Sequence, residues 1–168
     1  GCIVTMPNRN FDSAKLWDLV EQRSVNTIVI VGQAFAGPML EALDANPGKW
    51  NTSSVIQMGS SGVMWSQENK DALLNHIPQM LISDSFGSSE AVGMGISVSA
   101  KGAAVKTAQF ALGPNCVVFT EEGKRVEPGS GERGLVAVGG AIPLGYYKDE
   151  AKSAQTFRIF EDRRWTVP

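Results

Sequence analysis

The sequence predicts a mixed α/β fold, in which a parallel βαβαβ unit is followed by a β-rich segment that forms part of a barrel. Helical and strand-like patterns alternate at near-regular spacing through the first half of the chain. In the second half, twelve of the 18 glycines lie from Gly87 onward, between short apolar runs separated by turns. We therefore expect an α/β subdomain over residues 1–95 and a partial-barrel subdomain over residues 96–168.

The composition excludes several classes of protein. The 168 residues are 43% hydrophobic, which is ample for a core, and 15 basic against 17 acidic side chains leave a net charge of -2. This balance argues against nucleic acid as the main partner. Cys2 and Cys116 fit neither a disulfide framework nor a zinc site. The sequence shows no run of apolar residues long enough to span a membrane and no signal peptide, so a cytoplasmic location is expected.

The first elements follow from residue spacing and capping. Residues 11–21 place apolar side chains on one helical face, and Asp12 or Ser13 is available as the N-cap. Residues 25–31 are largely apolar, with many β-branched side chains, and end at Gly32, which predicts a strand buried on both faces. The alternation continues with a helix over 35–43, a strand over 54–58, a helix over 66–75 capped by Ser66, and a strand over 80–83.

The second half contains three further predicted strands and one helix. The strands are expected over 95–99, 116–120 and 135–138, and the helix over 150–156. The chain begins in an apolar segment and stops at Trp165-Thr166-Val167-Pro168 without a polar tail. We therefore expect an excised piece of a larger protein, with Gly1 as a cloning remnant.

Two stretches of small polar residues stand where predicted strands end, which is where open parallel sheets bind ligands. The first is Gly59-Ser60-Ser61-Gly62. Its glycines allow a ligand to approach the backbone closely, and the following helix offers unpaired N–H groups. Taken alone, these residues also fit an ordinary strand-to-helix turn, which is the simpler interpretation.

The second stretch is Asp84-Ser85-Phe86-Gly87-Ser88-Ser89-Glu90. Hydroxyl groups donate to phosphate oxygens, carboxylates hold Mg²⁺, and aromatic rings lie against bases. These residue types together indicate a nucleotide site, although the composition equally fits a serine-rich loop with a capping glutamate. The sequence has neither a Walker A nor a GxGxxG motif, so nucleotide binding by those loops is not supported.

The other polar and aromatic candidates are interpreted as structural. His76 ends a predicted helix beside Pro78, where a partly exposed histidine is more common than a catalytic one. Glu41, Asp44 and Asp71 are assigned to solvated helix faces. The four tryptophans are assigned to the core or to an interface, because no basic stripe accompanies them.

The string DSFGSSE over residues 84–90 resembles the [DN]-x-[YF]-G-x-[TS]-E motif of the adenylate-forming enzymes. This superfamily comprises acyl-CoA synthetases, firefly luciferases and peptide-synthetase adenylation domains. Residues 59–62 stand in the place of the family's GGAP-like adenine loop, with a departure to GSSG. Residues 128–135 look like its pGexGel segment, and residues 144–157 resemble its GY...PE.T...F stretch. The sequence GSSGVMW over residues 59–65 is most similar to that of fatty-acid or steroid-acid CoA ligases.

The resemblance implies part of the large N-terminal domain of an ATP-dependent carboxylate–CoA ligase. In such an enzyme the acid attacks the α-phosphate of Mg-ATP to give acyl-AMP and pyrophosphate, and CoA then displaces AMP. Carried over to this sequence, Ser60 and Ser61 line the adenine and Phe86 stacks on it. Ser89 contacts the α-phosphate and Glu90 holds Mg²⁺, so these two are the expected catalytic residues. The nucleotide-binding set is Gly59, Ser60, Ser61, Gly62, Asp84, Ser85, Phe86, Gly87, Ser88 and Ser89.

The resemblance also implies the partners, namely a small-molecule carboxylic acid, ATP and CoA, with no nucleic acid. Residues 32–36 and 62–64 are expected to line the acyl pocket, and peripheral membrane contact of the whole protein stays open. The family's phosphate loop, ribose-binding aspartate and catalytic lysine fall outside these residues, so we expect no adenylation by this chain alone. Two alternatives remain: an adenylation domain that loads a carrier protein, and a non-catalytic nucleotide-binding module.

Overall fold

The computed structural model describes residues 1–6, 9–103 and 109–168. The helices are α1 (Ser13–Arg23), α2 (Gln33–Ala45), α3 (Gln67–His76) and α4 (Glu150–Thr156). The strands are β1 (Thr27–Ile30), β2 (Gln57–Ser61), β3 (Leu81–Phe86), β4 (Gly95–Ser99), β5 (Ala111–Leu112), β6 (Cys116–Phe119), β7 (Leu135–Val138), β8 (Phe157–Phe160) and β9 (Arg163–Thr166). None of the helices in these ranges has the length and apolar character that crossing a bilayer requires.

The chain folds into two compact units. The first unit comprises Gly1–Asp84 and Ser97–Gln109, and the second unit comprises Ser85–Ile96 and Phe110–Pro168. Strands β3 and β4 therefore each contribute residues to both units. The division into subdomains at residues 95 and 96 stays a prediction.

The strands form two sheets, which confirms the predicted α/β class. The five-stranded sheet has the order β1-β2-β3-β4-β5, with β1 and β2 parallel in the register Thr27↔Gln57 to Ile30↔Ser60. The four-stranded sheet has the order β6-β7-β9-β8, and its pairs are antiparallel. In the described residues this second sheet is open, so the β-rich half does not close into a barrel.

The helices of the first unit begin where the capping residues predict. Asp12 caps α1 by accepting a hydrogen bond from the Lys15 N–H at 3.1 Å. Ser66 caps α3 by accepting from the Asn69 N–H at 3.2 Å. Each cap satisfies a backbone donor that the helix itself leaves unpaired. Ser13 is the first helical residue, which decides between the two candidate caps of α1.

The core of the first unit lies between the three helices and one face of strands β1, β2 and β3. Trp17, Met39 and Leu73 are fully buried there with Met58 and Ile82 from the strands. In the second unit, Phe119, Ala137, Trp165 and Val167 form a separate buried cluster. All four tryptophans are buried, as predicted.

The prediction that β1 is buried on both faces is wrong. Ile28 and Ile30 are buried, but Val29 on the opposite face is 79% exposed. Side chains of a strand alternate between the two faces, and the helices of the first unit cover only one of them. The described residues therefore cover only one face of β1, although both of its faces carry apolar side chains.

Two strands extend further than predicted. Strand β2 begins at Gln57 instead of Ser54 and includes Gly59, Ser60 and Ser61. Strand β3 continues through Asp84, Ser85 and Phe86. Hydrogen bonding to neighbouring strands keeps these small and polar residues extended, although their own propensities favour turns. Strands β5, β8 and β9 were not predicted.

Candidate functional site

The stretch Gly59–Gly62 lies at the carboxyl end of β2 in the first unit. The Ser60 side chain points into the protein and is 3% exposed, and its Oγ accepts a hydrogen bond from the Gly32 N–H at 3.1 Å. Ser61 is exposed, and Gly62 turns the chain out of the strand with φ +82°. The hydroxyl of Ser60 thus anchors the loop after β1, whereas Ser61 faces solvent.

The two segments expected to line an acyl pocket are brought together by Gly32. Its φ is +53°, and a Cβ there would lie 2.7 Å from the carbonyl oxygen of Val63. A side chain would therefore separate the loop after β1 from the loop after β2. Val63 and Met64 are 57% and 62% exposed. Apolar side chains are thus available beside this contact, as a wall for an apolar ligand requires.

The carboxylate of Asp84 is buried and fully engaged within the first unit. Its Oδ2 accepts from Lys70 Nζ at 2.5 Å, and its Oδ1 accepts from Trp65 Nε1 at 2.7 Å. Lys70 is 4% exposed and Asp84 is 9% exposed, so the ion pair is screened little by water. The network ties the start of α3 to β3. Residue spacing does not predict this pairing, because a lysine in a helix is expected to be exposed to solvent.

The rest of the second stretch lies in the second unit and forms a tight turn. The backbones of Ser88 and Ala91 exchange hydrogen bonds of 3.0 and 3.2 Å, and the Ser88 Oγ also accepts from the Ala91 N–H at 3.1 Å. The two residues between them are Ser89, which is exposed, and Glu90, which is half-buried. Before the turn, Ser85 and Gly87 are exposed. The sequence-predicted hydroxyl and carboxylate are thus neighbours at the tip of one turn.

Phe86 stands directly before this turn at the end of β3. Its ring is 41% exposed and lies beside that of Phe110, with centroids 5.6 Å apart and planes inclined by 42°. A partly exposed ring of this kind offers a flat apolar surface to a ligand. The contact with Phe110 holds the ring in place from one side.

Glu90 has a partner that the sequence does not indicate. The hydroxyl of Tyr146 donates to Glu90 Oε1 at 2.7 Å. This hydrogen bond is the main cause that lowers the pKa of the Glu90 carboxyl below its usual value, and a backbone hydrogen bond and the Ser88 side chain add to it. Tyr146 lies in the stretch that resembles the family's GY segment, which is the one sequence signal that could have singled it out.

The Glu90 carboxylate is chemically suited to bind a divalent metal whose other ligands include phosphate oxygens. Across the described residues, no group of three or more His, Cys, Asp and Glu side chains could hold a metal ion alone. Mg²⁺ needs no such cage, because it binds through one or two carboxylates and completes its shell with phosphate oxygens and water. A single ionised carboxylate on an accessible turn meets that requirement.

The residues assigned to structural roles occupy such positions. His76 closes α3, and its Nε2 lies 2.6 Å from Oδ1 of Asp44. Glu41, Asp44 and Asp71 are exposed, as predicted. Both cysteines are free thiols, and burial raises the pKa of Cys116.

Comparison with known proteins identifies similar chains over the whole sequence. The chain is 40% identical over 173 residues to a 3-oxocholest-4-en-26-oate–CoA ligase of Rhodococcus rhodochrous, covering 100% of this chain and 31% of that protein. It is 37% identical over 172 residues to a medium/long-chain-fatty-acid–CoA/3-oxocholest-4-en-26-oate–CoA ligase of Mycolicibacterium smegmatis, again covering 100% and 31%. The chain thus spans just under a third of these relatives. No protein-family model matches it.

Solved structures show the same fold. A long-chain-fatty-acid–CoA ligase from Archaeoglobus fulgidus superposes with a TM-score of 0.75 at 16% identity, covering 94% of this chain and 33% of that one. A nonribosomal peptide synthetase in its α-methyl-L-serine-AMP-bound form gives a TM-score of 0.79 at 14% identity, covering 96% and 19%. At these identities the likeness concerns the fold alone.

Proposed function

The chain belongs to the adenylate-forming superfamily and has the fold of its large domain. We propose that it is part of the large domain of an ATP-dependent ligase that joins a fatty or steroid acid to CoA. The carboxylate attacks the α-phosphate of ATP, which gives acyl-AMP and releases pyrophosphate. The CoA thiol then attacks the acyl carbon and releases AMP. The observation that supports this proposal is the similarity over 100% of the chain to ligases named for these acids and for CoA.

The proposal assigns the nucleotide to the exposed groups at the strand ends. In the second unit, Phe86 is the residue proposed to stack on the adenine. In the first unit, Ser61 and the backbone of Gly59, Ser60 and Gly62 are the groups proposed to bind polar atoms of the nucleotide. This division follows from burial, since the Ser60 hydroxyl is already bound to Gly32. Asp84 supports the nucleotide site without touching the nucleotide, because Lys70 and Trp65 already bind both of its oxygens.

The turn after β3 supplies the groups for the phosphates. Ser89 at the tip donates its hydroxyl to the α-phosphate, while Ser85, Gly87 and Ser88 shape the backbone around it. Glu90 would hold Mg²⁺, which when bound neutralises phosphate charge. Such preorganised groups act where charge develops, so removing one of them typically costs about a hundredfold or more in rate.

The acid occupies the space beside Gly32 and the loop of residues 62–64 in this proposal. The close backbone contact there leaves the exposed side chains of Val63 and Met64 free to meet an apolar chain or ring system. An apolar wall accepts both fatty and steroid acids without specific hydrogen bonds. The acid, ATP and CoA are thus the proposed partners, and the cytoplasmic location stays a prediction.

The test is the ligase reaction of the full-length protein. We would supply ATP, Mg²⁺, CoA and a series of fatty and steroid acids, and measure pyrophosphate release and acyl-CoA formation by mass spectrometry. Glu90→Gln is expected to lower turnover by about a hundredfold or more. The matched control is Glu122→Gln, which removes a carboxylate from an exposed turn of the second unit and should leave turnover unchanged.

Each alternative has its own outcome in this experiment. An adenylation domain that loads a carrier protein releases pyrophosphate but transfers no acyl group to CoA. A non-catalytic module binds AMP without dependence on Mg²⁺ and with the same affinity after Glu90→Gln. Either result contradicts the proposed ligase.

A further inference from the structure

The Glu90 carboxylate is held by a residue from a distant part of the chain. Tyr146 lies 56 residues further on, and its hydroxyl donates to Glu90 Oε1 at 2.7 Å. A hydrogen bond from a neutral hydroxyl to an ionised carboxylate is stronger than one between two neutral groups. This hydrogen bond is therefore strong enough to restrain the orientation of the Glu90 side chain on an accessible turn.

Tyr146 is itself held on several sides. Its N–H donates to Ser153 Oγ at 2.8 Å, and that hydroxyl donates in turn to the Asp149 carbonyl at 2.6 Å. The ring lies 5.8 Å from that of Phe157, and Lys152 Nζ lies 4.2 Å from the Tyr146 ring centroid. Ser153 of α4 thus holds the backbone of Tyr146, and its ring lies beside Lys152 of α4 and Phe157 of β8. The phenol is directed at Glu90.

We propose that Tyr146 is a positioning residue that orients the Glu90 carboxylate for the metal that accompanies the nucleotide. This inference rests on the proposed function, which assigns Mg²⁺ to Glu90. Carboxylates that bind metals are commonly oriented by hydrogen bonds from groups that do not touch the metal, and loss of such a group costs about 10- to 100-fold in metal affinity or activity. The positive charge of Lys152 beside the ring also favours the ionised carboxylate.

A purely structural Tyr146 would behave differently. Its ring packs on Phe157, and its backbone bond to Ser153 does not involve the phenol oxygen. If packing were its whole role, removal of the hydroxyl alone would leave metal binding unchanged. Tyr146→Phe separates the two roles, because it keeps the ring and the backbone and deletes only the donor to Glu90.

The experiment compares wild type and Tyr146→Phe in the full-length protein. Mn²⁺ replaces Mg²⁺ so that its binding, in the presence of a non-hydrolysable ATP analogue, can be followed by electron paramagnetic resonance. We expect Tyr146→Phe to weaken Mn²⁺ binding by about 10- to 100-fold and to raise the Mg²⁺ concentration for half-maximal turnover similarly. The KM for the acid and the thermal midpoint should stay close to wild type.

Two further variants complete the design. Tyr147→Phe is the matched control, since that ring is 88% exposed, and it should bind Mn²⁺ as the wild type does. Ser153→Ala releases the backbone of Tyr146 without touching the phenol, and should weaken Mn²⁺ binding by a smaller factor than Tyr146→Phe. It also tests the proposal independently if the first variant folds poorly.

The outcomes separate this inference from the proposed function. Wild-type Mn²⁺ affinity in Tyr146→Phe, with or without a loss of turnover, overturns the positioning role and leaves the ligase proposal intact. A wild-type protein that forms no acyl-AMP, but binds Mn²⁺ and nucleotide in a Tyr146-dependent way, overturns the ligase proposal and supports the positioning role.

Discussion

Replacing Lys70 by methionine is expected to lower the free energy of unfolding by about 3–5 kcal/mol, because the change leaves a buried carboxylate without its cation. Lys70 and Asp84 are 4% and 9% exposed, and their charged atoms lie 2.5 Å apart. After the substitution, Asp84 keeps only the hydrogen bond from Trp65. A loss of this size is a large fraction of the net stability of a typical domain, about 5–15 kcal/mol.

Urea unfolding followed by tryptophan fluorescence measures this loss as a lower midpoint at an unchanged slope. The double variant Lys70→Met/Asp84→Asn removes both charges and keeps an oxygen that can accept from Trp65. It should recover about 2 kcal/mol or more of the loss, since the unpaired charge causes most of the cost. The effects of the substitutions at Lys70 and Asp84 on the free energy of unfolding are therefore expected to be non-additive.

The matched control is an exposed ion pair of the same charges. Lys15 and Asp12 lie 3.7 Å apart with side chains 61% and 38% exposed, so Lys15→Met should cost under about 1 kcal/mol. The reasoning would be refuted if Lys70→Met cost no more than Lys15→Met, or if the double variant were as unstable as the single one.

Two further predictions concern the buried hydroxyl of Ser60 and the half-buried thiol of Cys116. Ser60→Ala is expected to cost about 1–3 kcal/mol in urea unfolding, because the buried Gly32 N–H loses its acceptor, while the exposed Ser61→Ala should change little; equal effects of the two would contradict the assigned roles. Burial raises the pKa of the Cys116 thiol, so at pH 8 its peptide should be alkylated more slowly in the folded protein than in urea, and the difference should shrink as the pH rises. Mass spectrometry of the peptides measures both thiols at once, and the exposed Cys2 should react equally in the two states.

Local patterns were sufficient to predict most elements of this protein. Asp12 and Ser66 mark helix starts because a cap involves residues only three positions apart. The strand over 95–99 coincides with β4, which lies between Gly93 and Gly102. The helix over 150–156 coincides with α4, which Asp149 caps. The motif over 84–90 likewise predicted the family, because a local string of residues carries that resemblance.

The ends of the strands depended on neighbours distant in the sequence. Ser60 lies in β2, and not in a loop, because the strand pairs with β1 through the register Ile30↔Ser60. Nothing in the GSSG string itself encodes that partner. Strands β8 and β9 differ, because they pair with each other from Phe157↔Thr166 to Phe160↔Arg163 across a two-residue turn. This hairpin was not predicted, although its Phe, Ile, Trp and Thr residues favour strands locally.

The sequence by itself determined which residue types stand at the candidate site and in what order. Tertiary structure alone decided what each side chain does there. Asp84 turns inward to Lys70 and Trp65, while Glu90, six residues later, receives the hydroxyl of Tyr146. Both are carboxylates in one short motif, and no local pattern distinguishes them. Burial and partners distant in the chain make one a structural ion pair and leave the other on an accessible turn, because these properties arise only when the chain is packed.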